Sequence, residues 1–281
     1  MLRFIGLGLS IDNIPIGNLK KLFECQKIFI DSYTSIWFPN IDLLVDILVK
    51  SGKSVVVARR DDLEGSAIRR ILSESRDYDI CIATPGDPFI ATTHSAILSE
   101  ALRMGIAVEI SPSSSIVNVG ISMSCLQIYR FGKIVTVVRP KNGIVYEYPF
   151  DVLKLNRELN LHTLMLLEID VENNYYMNPR EAIEILLEIQ RMRGEEILGK
   201  DDKIIVLEAL MSSSGRIYIE SVESILRRSP DEYRFYPYTI IIPARVLHPI
   251  ERECLENIDR VLYIHSINEK ELLNIASYIF R

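Results

Sequence analysis

The first 111 residues repeat one pattern, a short apolar run followed by a stretch with helical spacing. The runs predict strands at Leu2–Leu9, Lys27–Asp31, Ser54–Ala58, Ile80–Thr84 and Ala107–Ser111. The intervening stretches predict helices at Asn18–Cys25, Ile41–Lys50, Ser66–Ser75 and Thr93–Met104. A strand that is apolar along its whole length is buried on both faces. Alternation with helices then implies a parallel α/β sheet covered on both sides.

The pattern changes at Pro112-Ser113-Ser114-Ser115, a polar stretch that reads as a hinge. It divides an N-terminal α/β domain, 1–112, from a C-terminal α/β domain, 113–281, and a helix is expected from Ile116. Beyond it the strands are Lys133–Val138, Thr163–Ile169, Lys203–Glu208, Arg216–Glu220 and Thr239–Ile242. Pro179–Arg193 is a strong helix, with Asn178 as N-cap and Pro179 at the first helical position. Ser221–Arg228 is another. A chain of 281 residues can bury two cores.

The net charge is −6, and basic residues cluster only as doublets such as Arg59-Arg60 and Arg227-Arg228. Neither feature is a nucleic-acid footprint. No apolar run is long enough to span a bilayer, and MLRFIGLGLS lacks the cleavage site of a signal peptide. The four cysteines, Cys25, Cys81, Cys125 and Cys254, are scattered without a CxxC spacing. No metal site is expected, and Cys81 and Cys125 read as small core residues. The protein is expected to be cytoplasmic and reduced. Abundant Ile, Glu and Arg with few Gln is the composition of proteins from hot environments.

Three stretches compete as a site. In "FIGLGLS", Gly6 and Gly8 end a strand and Asp31 ends the next, as in a dinucleotide fingerprint. Ile11 stands where a third glycine would let the helix approach, which weighs against a nicotinamide oxidoreductase. In "TPGDPFIATTH", Gly86 can take a left-handed conformation and Asp87 can accept hydrogen bonds at a strand's carboxyl end. That is where ligands bind in α/β sheets, although a plain turn with Asp87 on local N–H groups uses the same chemistry. In "SPSSSIVNVG", small hydroxyls follow the next strand. His248 in "LHP" and His162 are each either site or structural residues, and His265 reads as surface. With no Ser-His-Asp order, HExxH or P-loop, nothing points to hydrolysis.

These pieces, together with "YTS" at Tyr33–Ser35, "IYRFGK" at Ile128–Lys133, "HTLMLLEID" at His162–Asp170, "YYMNPREAIEIL" at Tyr175–Leu186 and "LHPIERECL" at Leu247–Leu255, occur in a characteristic order. The chain resembles the diphthine synthases, of the tetrapyrrole-methylase class of S-adenosylmethionine (SAM) methyltransferases. The resemblance implies two α/β domains with the cofactor cleft between them, a homodimer, and no metal. The implied activity is transfer of methyl groups from SAM to the amino group of a modified histidine on elongation factor 2. Implied SAM contacts are Leu9, Asp87, Ile90, Ser115, Ile116, Leu167 and His248, with a further one at Ala209 or Leu210. Ile90 stands in place of valine, and "VLEALMSSSG" and Ala244 depart from the family pattern. No catalytic residue is assigned. A tetrapyrrole or corrinoid methylase and a non-catalytic SAM-binding protein are the competing readings. "DSYTSIWF" adds Tyr33, Trp37 and Phe38 as candidate aromatic faces for a methylated ammonium.

Overall fold

The computed structural model describes residues 1–258. His265 lies outside the described residues. The described chain forms two compact units. The first comprises Met1–Ser115 and Met211–Ser213, and the second comprises Ile116–Leu210 and 214–258. The first unit thus runs through Ser115 and also takes in Met211–Ser213.

In the first unit the elements run β1 Leu2–Gly6, α1 Ile16–Glu24, β2 Lys27–Asp31, α2 Ile41–Lys50, β3 Ser54–Ala58, α3 Arg60–Leu63, α4 Gly65–Glu74, β4 Ile80–Thr84, α5 His94–Arg103 and β5 Val108–Ser111. The sheet has order β3-β2-β4-β1-β5 and every pairing is parallel. The central strands β1 and β4 are buried throughout, as their unbroken apolar runs require. Leu2, Phe4 and Ile82 face one core with Leu72 and Ile97, while Ile5, Ile28 and Ile30 face the other with Leu22 and Leu48. Trp37 is 3 % exposed within that second core and donates its indole N–H to Leu7 O at 3.3 Å. It is therefore a packing residue and does not present a free aromatic face.

In the second unit the elements are α6 Ile116–Met123, β6 Val135–Val137, α7 Tyr148–Glu158, β7 Thr163–Leu167, β8 Ile169–Asp170, β9 Tyr175–Tyr176, α8 Pro179–Arg193, β10 Lys203–Glu208, β11 Arg216–Ser221, α9 Val222–Arg227, β12 Tyr238–Ile242 and α10 Pro249–Leu255. The main sheet has order β11-β10-β12-β7-β6 and is mixed, with β12 antiparallel to both neighbours. Asn178 caps α8 as expected, its side chain accepting from Glu181 N at 2.9 Å.

The expectation of reduced cysteines is corrected. Cys25 pairs with Cys81 inside the first unit, and Cys125 pairs with Cys254 inside the second. Scattered in sequence, the partners are brought to Cα separations of 6.0 and 5.5 Å by the fold.

A buried polar cluster fixes the start of β7. Glu251 and His162 are both fully buried, with Nε2 of the ring 3.0 Å from Glu251 Oε1. His162 Nδ1 accepts from Ala244 N at 2.9 Å, so Nε2 carries the ring proton. Glu251 also accepts from Gln127 N and His248 N and pairs with Arg130. Burial holds the His162 ring below its ordinary pKa. For Glu251, burial pushes up, but the backbone N–H groups of Gln127 and His248 and the His162 ring outweigh it, and the carboxyl lies below its usual range. Both groups are depressed in the folded chain, so both favour folding above their unfolded pKa values and cease to do so as pH falls. For His162 the loss begins near pH ~6.5 and amounts to at most about 1.4 kcal/mol per pH unit. Melting temperature is accordingly expected to fall between pH 7.5 and 5.5, and His162→Gln is expected to flatten that slope. Equal slopes in the two proteins by differential scanning calorimetry would refute this account.

Candidate active site

The carboxyl ends of β1 and β4 continue into two glycine turns that hydrogen-bond to each other. Gly8 N donates to Gly86 O at 3.2 Å, and Gly86 N donates to Gly8 O at 2.7 Å. Both glycines are left-handed, with φ of +67° and +82°. Gly6 has no room for a side chain, since a Cβ there would lie 2.6 Å from Ser113 Cβ and 2.9 Å from Gly86 O. The "GLG" is therefore needed for backbone packing. It does not lead directly into a helix, as a dinucleotide fold requires, because α1 begins only at Ile16.

At Gly86 the situation is the opposite. A Cβ would stand 3.9 Å from Ser114 O and Ser115 Cα and 4.0 Å from Leu9 Cδ2, so the glycine leaves open a space that Leu9 and Ser115 border. Asp87 stands beside it, 7 % exposed. Its Oδ1 accepts from Phe89 N at 2.9 Å and its Oδ2 from Ser113 N at 3.0 Å. Each oxygen retains a second lone pair. The carboxylate thus ties the β4 turn to the stretch after β5 and can still accept from a ligand. Ile90 is exposed at 41 %, an apolar side chain displayed on the same turn. A left-handed glycine beside a carboxylate with free lone pairs and an exposed apolar side chain fits a cofactor that carries hydrogen-bond donors and an apolar portion. The first unit therefore brings together Leu9, Asp87 and Ser115 of the implied contacts, with Ile90 on the turn.

Behind the turn lies a buried network that ties "YTS" to "ATTH". His94 and Asp31 are both fully buried. The ring's Nε2 is 3.2 Å from Asp31 Oδ2, but off the line of a hydrogen bond. Nδ1 is 3.2 Å from both Thr84 Oγ1 and Pro88 O, and since a carbonyl only accepts, Nδ1 is a donor there. Asp31 accepts from Tyr33 N and from both the N–H and hydroxyl of Thr34. Tyr33 is 5 % exposed, and the Arg60 guanidinium lies 5.0 Å from its ring centroid. Burial, and then the Asp31 charge, push its phenol up to about 12. The hydroxyl is a neutral group at physiological pH.

In the second unit, strand direction sorts the implied contacts. Leu166 and Leu207 are both paired with Thr239 of β12, so β7 and β10 end at the same edge of the sheet. Leu167, the last residue of β7, and Ala209, just past β10, share that edge. Gly120 of α6 packs on Leu207 and Leu164 of the same sheet. His248 follows the far end of β12 and is not brought to this edge. It is exposed and caps α10, its ring accepting from Ile250 N at 3.3 Å.

Two residues at the shared edge were not singled out from sequence. Tyr238 opens β12 opposite Glu208, and its hydroxyl donates to Glu208 Oε1 at 3.1 Å. Burial raises the pKa of Glu208. Ala209 and Met211, on either side of Leu210, are non-glycine residues with φ of +42° and +69°. Left-handed backbone at such residues costs about 1–2 kcal/mol each. This is the "VLEALMSSSG" stretch that departs from the family pattern.

Comparison with known proteins decides the family. The model of the tetrapyrrole (corrin/porphyrin) methylases matches residues 1–225. A diphthine synthase of Staphylothermus marinus is 40 % identical over 262 residues, covering 91 % of this chain and 92 % of the relative. A diphthine synthase of Methanococcus aeolicus is 33 % identical over 259 residues, covering 91 % and 97 %. The chain belongs to the diphthine synthases, within the tetrapyrrole methylases. A solved diphthine synthase structure superposes with a TM-score of 0.78 at 28 % identity, covering 92 % of this chain and 96 % of that one. This family member is a SAM-dependent methyltransferase of diphthamide biosynthesis. Among the described residues no helix is long and apolar enough to cross a membrane.

Proposed function

We propose that this methyltransferase acts on the amino group of the modified histidine of elongation factor 2, as a cytoplasmic homodimer. The observation that carries this reading is the similarity to diphthine synthases along nearly the whole chain. Dimerisation, the protein substrate and the compartment come from the resemblance. Incubation with labelled SAM and elongation factor 2 carrying the modified histidine tests it. Label on the factor is the expected result, and a factor left unlabelled would overturn it.

For the cofactor we propose Leu9, Asp87, Ile90 and Ser115 in the first unit, and Ile116, Leu167 and Ala209 in the second. His248 is left with its cap. When bound, SAM supplies a methyl group already activated on a sulfonium. The chain's part is then proximity and orientation, which supply about 7–11 kcal/mol of such a barrier. A free α-amino group titrates near pH ~7.7–8.0, so a fraction is neutral at working pH without a dedicated base.

Asp87→Ala tests the turn. It removes a carboxylate with two backbone donors and any donor from the cofactor. SAM affinity is expected to fall by roughly 1.5–3 kcal/mol, the usual worth of a hydrogen bond to a charged group. Calorimetric titration showing wild-type affinity would sink the assignment.

A further inference from the structure

The turn from Thr84 to His94 carries two left-handed residues, Gly86 at φ +82° and the non-glycine Ala91 at φ +59°. A strained backbone of this kind persists only where its surroundings over-determine it. Thr92 Oγ1 donates to Pro88 O at 2.6 Å, and His94 Nδ1 donates to the same carbonyl. His94 is in turn backed by Asp31, whose own oxygens are occupied by Tyr33 and Thr34. Pro88 stands between Asp87 and Ile90, the two residues of this turn proposed to touch the cofactor. Neither "YTS" nor the histidine of "ATTH" is among the residues proposed to touch SAM.

We propose that His94 is the positioning residue of the cofactor turn. It holds the Pro88 carbonyl through Nδ1, with Asp31 at the end of β2 packed 3.2 Å behind Nε2, and so sets where Asp87 and Ile90 stand. The side chain is fully buried, so it acts on the cofactor only through the turn. Thr34 and the Tyr33 N–H serve as the anchor that keeps Asp31 in place. The proposal rests on the reading that this turn holds SAM.

The test compares His94→Ala, His94→Gln and Asp31→Asn with Ile97→Ala. Ile97 lies on the same helix, is 5 % exposed in the core, and carries no polar group to hydrogen-bond the turn. SAM dissociation constant, KM for SAM, kcat at saturating SAM and melting temperature are measured for each. His94→Ala is expected to raise the dissociation constant and KM about tenfold, the scale of one lost hydrogen bond in a buried network, with kcat held within about twofold. His94→Gln keeps an N–H donor and is expected to recover most of the affinity. Ile97→Ala is expected to lower the melting temperature with KM unchanged. Where His94→Ala fails to fold, Asp31→Asn carries the test, since it keeps the shape and removes the charge behind the ring. Wild-type KM in His94→Ala or in that substitute overturns the proposal. So does an equal rise in KM in Ile97→Ala, which would make the effect one of general stability. Asp87→Ala separates the two levels. Wild-type affinity there removes the turn from the cofactor site and the proposal with it, whereas weak binding by Asp87→Ala with normal binding by His94→Ala overturns the proposal alone.

Discussion

Gly86→Val is expected to leave a folded protein that no longer binds SAM, and Gly143→Val a folded protein that binds it normally. Both glycines are left-handed, at φ +82° and +77°. A side chain at either position therefore strains the backbone, by about 1–2 kcal/mol for an ordinary residue and more for a β-branched one. Neither meets a hard obstacle in the protein itself. Nothing lies within 4 Å of a Cβ at Gly143, which turns the hairpin between Lys141 and Ile144. At Gly86 the neighbours are at ordinary contact distance. The strain is thus shared and the difference is what borders the space. At Gly86 it is bordered by Leu9 and Ser115 beside Asp87, and a valine fills it. Melting curves for the two variants are expected to fall together, while calorimetric titration with SAM is expected to separate them. Full binding by Gly86→Val would show that the cofactor does not approach this turn.

The sequence reading went furthest where one element answers to one local rule. Lys27–Asp31, Ile41–Lys50, Ser54–Ala58, Ile80–Thr84, Pro179–Arg193 and Lys203–Glu208 stand in the structure with the bounds expected of them. Each is an uninterrupted apolar run or a capped amphipathic period. α7 was not expected, and Asn156 shows why. It is buried on the inward face of that helix, where it breaks the apolar period. Its amide serves Lys133 N, Lys133 O and Thr163 Oγ1, and Gly132 has no side chain because one would strike it. Lys133 and Gly132 lie more than twenty positions before it and Thr163 seven after it, across the end of the helix. The same limit applies to the site. The strand-end glycines were legible singly, but the reciprocal bonds between Gly8 and Gly86 depend on β1 and β4 being neighbours. His248 was placed by its motif, and only the antiparallel direction of β12 takes it away from Leu167 and Ala209. Asp31 was weighed as part of a dinucleotide fingerprint, whereas in the structure it accepts from Tyr33 and Thr34 and lies beside His94.

Removing either disulfide is expected to cost more stability than any surface change, of order 2–5 kcal/mol each. The argument is about the unfolded chain. The Cys25–Cys81 link closes a loop spanning 56 positions and the Cys125–Cys254 link one spanning 129, and longer loops forfeit more chain entropy when tied. Each link also stays within one compact unit, so each stabilises the unit that contains it. Cys25 leaves α1 and Cys81 lies in β4, which joins a helix to the central strand whose end carries the Gly86 turn. Cys254 lies in α10, beside the Glu251 cluster. A disulfide in a cytoplasmic protein is unusual in organisms of moderate temperature but common in those of hot environments, which is the direction the composition already points. The Cys25→Ser and Cys254→Ser variants, melted with and without reductant, give the measurement. Each is expected to melt several degrees below the parent chain, and reductant is expected to lower the parent towards the variants. Thiol titration of the unfolded, unreduced parent is expected to find no free thiol, since all four cysteines are paired. Four free thiols, with melting insensitive to reductant, would return the cysteines to the role of small core residues.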